Sequence, residues 1–130
     1  MPSFIEFKEL EGRTLKDVIN HNHCMEFVFT EGPRVVQFHV QQCCEQVWLE
    51  DIDGDISRLI GQTIIQAEER DATTNKYKAY FYTIRTNLDS VTLRWFGDGG
   101  DSGWYAAEAW TYELGENESA VDVSLNNAGM

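Results

Sequence analysis

Between His39 and Asp55 the chain gathers its densest set of reactive side chains, with His39, Cys43, Cys44 and Glu45 followed by Trp48 and by Glu50, Asp51, Asp53 and Asp55. Three chemistries compete for them. The 1, 3, 5 spacing of Asp51, Asp53 and Asp55 is that of a calcium loop, which then requires Gly at its sixth position and Glu at its twelfth. Ile56 and Gln62 stand there instead, and Gly54 comes two residues early. His39 with Cys43 and Cys44 offers soft ligands, yet adjacent cysteines in an extended chain point to opposite faces, and no further Cys-x-x-Cys or His pair completes a tetrahedron. A cysteine nucleophile needs a base and a lowered thiol pKa, whereas Glu45, Glu50 and Asp51 would raise it. No catalytic residue, metal ligand or cofactor site is therefore assigned, and the sequence favours binding over catalysis.

Charge narrows the partner. The 130 residues carry 22 acidic against 10 basic side chains, a net of -12. Such a surface repels phosphate backbones and anionic lipid headgroups, which argues against direct nucleic acid binding and against a membrane partner. The excess is concentrated twice. From Cys43 to Asp71 there are eight acidic residues against two basic, and from Asp98 to Asp122 seven against none. Arg58 is the basic residue nearest in sequence to the Asp51–Asp55 cluster. Met1-Pro2-Ser3-Phe4 leads directly into mixed charge with no apolar leader segment, and no apolar run reaches the ~20 residues of a membrane helix, so a cytoplasmic protein is expected. Three cysteines, two of them adjacent, suit a reducing compartment, and no disulfide among Cys24, Cys43 and Cys44 is expected.

The elements that must position these residues read mostly with period two. Met25, Phe27 and Phe29 alternate before the turn Glu31-Gly32-Pro33, and Val36, Phe38 and Val40 alternate after it, which predicts a hairpin over residues 24–41. Gly12 to Asn20 and Val47 to Glu50 read as further strands, and Asp55 to Gly61 as one capped helical turn. Thr63 to Ala67, Lys78 to Thr86, a strand carrying Val91, Leu93 and Trp95, and Trp104 to Leu114 complete the pattern, with Gly97 to Gly103 as a turn. Residues 1–114 are thus expected to form one antiparallel β domain. Residues 115–130 read as a polar tail in which Val121, Val123 and Leu125 alternate as an edge strand would. The expected fold is mainly β, an antiparallel, strongly curled sheet, small barrel or sandwich with one short helical insert. Rings fall on both faces of at least two strands, which fits a two-sided core or an exposed aromatic patch.

A likeness rests on particular residues: His39-x-x-x-Cys43-Cys44-Glu45, Glu50-Asp51-Ile52-x-Gly54-Asp55, Leu59-Ile60-Gly61 and Ala67-Glu68-Glu69, then Phe81-Tyr82, Val91-Thr92-Leu93-Arg94-Trp95-Phe96-Gly97 and Gly103-Trp104-Tyr105. Over about residues 10 to 113 the chain resembles an uncharacterised family of small phage and prophage proteins. Gln42 stands where that pattern has an acidic residue. The resemblance implies a phage origin and residence in the host cytoplasm, and it supplies no catalytic residues.

The functional expectation is a small acidic phage protein that binds and inhibits or modulates a host protein with a basic surface, in the manner of a nucleic-acid mimic. The residues expected to meet that partner are Glu45, Trp48, Glu50, Asp51, Asp53 and Asp55, with Asp98, Asp101, Trp104 and Tyr105 from the second acidic stretch. A metal- or small-ligand-binding accessory protein using residues 43–55 is the alternative, and a structural or self-assembling phage component a third. An exposed edge in an aromatic-rich sheet would also permit a homodimer.

Overall fold

A computed structural model describes residues 2–41, 45–75, 77–98 and 106–128. Among the described residues nine strands form two antiparallel sheets. The five-stranded sheet contains β1 (Ser3–Ile5), β2 (Leu15–Asn20), β3 (Met25–Phe29), β4 (Val35–Phe38) and β9 (Trp110–Glu113), in the spatial order β1-β9-β4-β3-β2. The four-stranded sheet contains β5 (Gln46–Asp53), β6 (Gln66–Asp71), β7 (Lys78–Arg85) and β8 (Ser90–Asp98), in the order β5-β8-β7-β6. The sheets face one another across a shared core and are not closed into a barrel; an isolated Thr14–Thr63 bridge links them at one margin.

Alternation explains most of this. Met25, Phe27 and Phe29 of β3 meet Tyr82 and Ile84 of β7 and Val91, Leu93 and Trp95 of β8 in the shared core. Burying each such side chain contributes roughly 1.5–3 kcal/mol. The expected hairpin is present, with Met25 opposite Gln37 and Phe27 opposite Val35, and Gly32 supplies a φ of 86° in its turn. Asp55 caps the short 3-10 turn Ile56–Leu59, its carboxylate accepting from the Ser57 amide at 3.0 Å.

Two expectations are corrected. The segment after Gly115 is neither a loose tail nor an edge strand but carries a helix, α1 (Ala120–Ala128). The alternation of Val121, Val123 and Leu125 misleads because Ala120, Val123 and Ser124 are the buried positions, a helical spacing, while Leu125 stays exposed. Ser119 holds the start of the helix, its hydroxyl accepting from the Asp122 amide. Arg34 fixes the approach by donating to the carbonyls of Gly115 and Glu118 and to the Glu26 carboxylate. The second correction concerns the turn expected over Gly97 to Gly103. Gly97 and Asp98 continue β8, pairing with Val47 and Gln46, and residues 99–103 lie outside the described residues.

The helix changes the reading of β4. Val36 and Phe38 pack with Ala120, Val123 and Leu114 on the outer side of the five-stranded sheet. The alternate residues Gln37 and His39 are buried as well. Trp95 Nε1 donates to Gln37 Oε1 at 3.0 Å, which sets Gln37 against the shared core.

Candidate functional site

The outer face of the four-stranded sheet holds most of the residues expected to bind. After Leu49, β5 bulges at Glu50, so that Trp48, Asp51 and Asp53 all point outward. Along one transverse row lie Asp51, Arg94, Phe81 and Arg70, consecutive partners across β5, β8, β7 and β6. Arg94 reaches Asp51 at 3.3 Å and Asp53 at 3.2 Å, and its guanidinium lies 5.5 Å from the Phe81 ring centroid. Arg70 covers the same ring at 5.2 Å. Phe81 stacks on Phe96 at 6.2 Å, and Phe96 on Tyr77 at 5.2 Å. Trp48 is 41% exposed and Tyr77 45%, so the rings are accessible.

Asp51, Asp53 and Asp55, whose spacing is that of a calcium loop, do not share one loop. Asp51 and Asp53 lie in β5 and share Arg94, while Arg58 pairs with Asp89 at 3.0 Å. Asp55 is turned away to Ser57, whose hydroxyl and amide hold its carboxyl below the usual range. Glu50 accepts from the Trp48 indole. Two exposed carboxylates on one guanidinium leave a local negative surplus.

Glu45 belongs elsewhere. It is buried, 2% exposed, and cannot meet a partner at the surface. Its carboxylate lies 2.7 Å from His39 Nε2, and His39 Nδ1 lies 2.6 Å from the carbonyl of Glu108. A carbonyl only accepts, so Nδ1 carries hydrogen. Nε2 then either donates to a Glu45 carboxylate or accepts from a Glu45 carboxyl; in both states the pair holds one shared proton and no net charge. Around this end of the shared core burial raises the Tyr82 phenol, whose hydroxyl donates to the Ala109 carbonyl at 2.8 Å. Desolvation, then Glu108, Glu6 and Asp71, push the Glu69 carboxyl up to about 7, and Tyr80 is pushed up to about 12. Glu69 also lines a groove of about 430 Å³ between β6 and the 3-10 turn Phe7–Leu10.

No group of three or more His, Cys, Asp and Glu side chains among the described residues is placed to hold a metal ion. Cys24 is a free, buried thiol against α1; Cys43 and Cys44 lie outside the described residues. So do Asp101, Trp104 and Tyr105, and of Asp98 only the backbone is described, as the end of β8. Sequence reasoning missed the basic and aromatic members of the outer face, Arg70, Arg94, Phe81 and Tyr77. The signal was present in the alternation of Phe81 with Tyr82 and of Arg94 with Trp95, which puts one set inside and the other out.

Residues 8–110 match the family model DUF7448, a domain of unknown function. The chain belongs to this family. The DUF7448 match takes in both the outer face and the His39–Glu45 pair and ends as β9 begins, so α1 lies beyond it. No curated protein and no solved structure matches the chain. No helix among the described residues is long and apolar enough to cross a membrane.

Proposed function

We propose that this chain is a small phage-encoded protein that acts without catalysis, binding a basic surface of a host protein in the host cytoplasm and thereby inhibiting or modulating it. The observation that carries the reading is the outer end of β5, where the 56% and 66% exposed side chains of Asp51 and Asp53 share one arginine beside an accessible Trp48. Carboxylates of this kind steer a basic partner to the face, and the neighbouring rings supply the apolar contact that holds it. The overall charge of -12 extends the steering field beyond the contact itself and gives the molecule a likeness to a phosphate backbone. A phage origin follows the resemblance carried by residues 39–61 and 81–105.

Affinity purification of the tagged chain from a bacterial host, with mass spectrometry of the captured proteins, tests the reading when run beside an Asp51→Lys/Asp53→Lys control. The expected partner is retained by the parent chain, lost from the control, and released by salt. Against the purified partner, the double substitution should slow association by about tenfold and change dissociation less. A captured protein that binds both chains equally at all salt concentrations would refute the assignment of the face.

A further inference from the structure

We infer that the outer face of the four-stranded sheet seats a second copy of this chain, the two copies being related by a two-fold axis that runs parallel to the strands. The row Asp51, Arg94, Phe81, Arg70 crosses β5, β8, β7 and β6 in register. An axis parallel to the strands reverses the order of strands and keeps the level along them, so β5 of one copy lies over β6 of the other. Asp51 then faces Arg70 of the other copy, and Arg94 faces the other Phe81 ring. Each contact occurs twice, as an isologous interface requires. A two-fold axis perpendicular to the strands would instead lay β5 on β5 and set carboxylate against carboxylate.

The free state of the row fits this arrangement. Arg70 is exposed and stacks on Phe81, and among the described residues it makes no ion pair. Asp51 and Asp53 together have one guanidinium. One margin of the face is therefore short of positive charge and the other holds an uncommitted arginine, with Trp48, Tyr77, Phe81 and Phe96 among them. The inner side of this sheet packs on the five-stranded sheet, and α1 covers the β4 part of that sheet's outer side. Four strands of six to nine residues, at about 3.3 Å per residue and about 4.8 Å apart, give a face of about 500 Å². Two such faces bury about 1,000 Å², the floor for a specific interface, which sets the expectation of a reversible dimer.

One feature opposes the contact. In the next row Asp53, Thr92, Thr83 and Glu68 are in register, so the same axis brings Asp53 opposite Glu68 of the other copy. That repulsion weakens the dimer and gives the inference a gain-of-function test. The inference is independent of the proposed host partner; a second copy would compete with that partner for Asp51.

Sedimentation velocity of the full chain up to millimolar concentration supplies the readout. The parent chain is expected to show a concentration-dependent dimer, and Arg70→Asp and Asp51→Lys each to remain monomeric with an intact thermal transition. Mixing those two variants should restore the dimer, because the heterodimer pairs Asp51 with Arg70 on one side and Lys with Asp on the other. Glu68→Lys alone should tighten the parent dimer by about tenfold, since a like-charge contact becomes an opposite one. A monomeric parent chain at the highest concentration, variants that still dimerise alone, a mixture that stays monomeric, or a Glu68→Lys chain no tighter than the parent would each overturn the inference.

Discussion

Removing the Glu45 carboxylate should expose how much of the stability of the polar end rests on one hydrogen-bonded pair. The Glu45 side chain is 1% exposed and that of His39 6%, with 2.7 Å between them. Glu45→Ala leaves a buried imidazole nitrogen with no partner and opens a cavity beside it. Leaving a buried polar group without a partner costs about 1–3 kcal/mol, and the cavity adds to it. Glu45→Gln has a different consequence. With His39 Nδ1–H donating to the Glu108 carbonyl, Nε2 of the neutral ring accepts, and a glutamine amide can donate to it in the place of the carboxyl. That substitution should cost no more than about 1 kcal/mol. Urea unfolding of the three chains at neutral pH, followed by tryptophan fluorescence and circular dichroism together, measures the ordering. Glu45→Ala within 1 kcal/mol of the parent chain would refute the buried pairing. Glu45→Gln as damaging as Glu45→Ala would refute the neutral form of the pair, leaving an imidazolium that donates to the Glu45 carboxylate.

Glu69, with its carboxyl raised to about 7, should make stability fall as pH rises from about 4.5 to about 7, since the folded state then binds more protons than the unfolded chain. Glu69→Gln should flatten that slope and melt higher than the parent at about pH 8, an effect reduced by salt because the residue is exposed; thermal melts across pH read it. Gly54 has φ 111°, and a Cβ there would lie 2.8 Å from the Ser90 carbonyl oxygen, so Gly54→Ala should cost about 2 kcal/mol or more in urea unfolding, against about 1 kcal/mol for Gly12→Ala, where φ is 89° but a Cβ meets nothing within 4 Å.

What the sequence discloses here depends on which interactions are local. The hairpin around Gly32 is legible because alternation and a turn that needs positive φ both lie within eighteen residues. The cap at Asp55 is legible for the same reason. By contrast, the fates of Gln37, His39 and Glu45 depend on α1 and β8, far away in the chain. With the far side of β4 covered by a helix, the apolar alternation of Val36 and Phe38 turns to that helix, and the polar set is driven inside to meet Trp95 and Glu108. Ser119-x-x-Asp122 is a helix-start pattern that could have revealed α1, but Val121, Val123 and Leu125 compete with it as a strand pattern. Charge counting likewise found the surplus without its partner. Arg58 is near the aspartates in sequence, yet Arg94 is the base that strand pairing delivers.

The clamp that Arg34 places on the Gly115 and Glu118 carbonyls has a practical corollary for orientation. It anchors the entry to α1 on the outer side of the five-stranded sheet, while the aromatic and carboxylate face looks out from the other sheet. With layers about 10 Å apart, the helix and that face stand about 20 Å from one another on opposite sides of the molecule. A label, tether or fused reporter attached after α1 would therefore point away from the face, leaving it free to meet whatever approaches from solution.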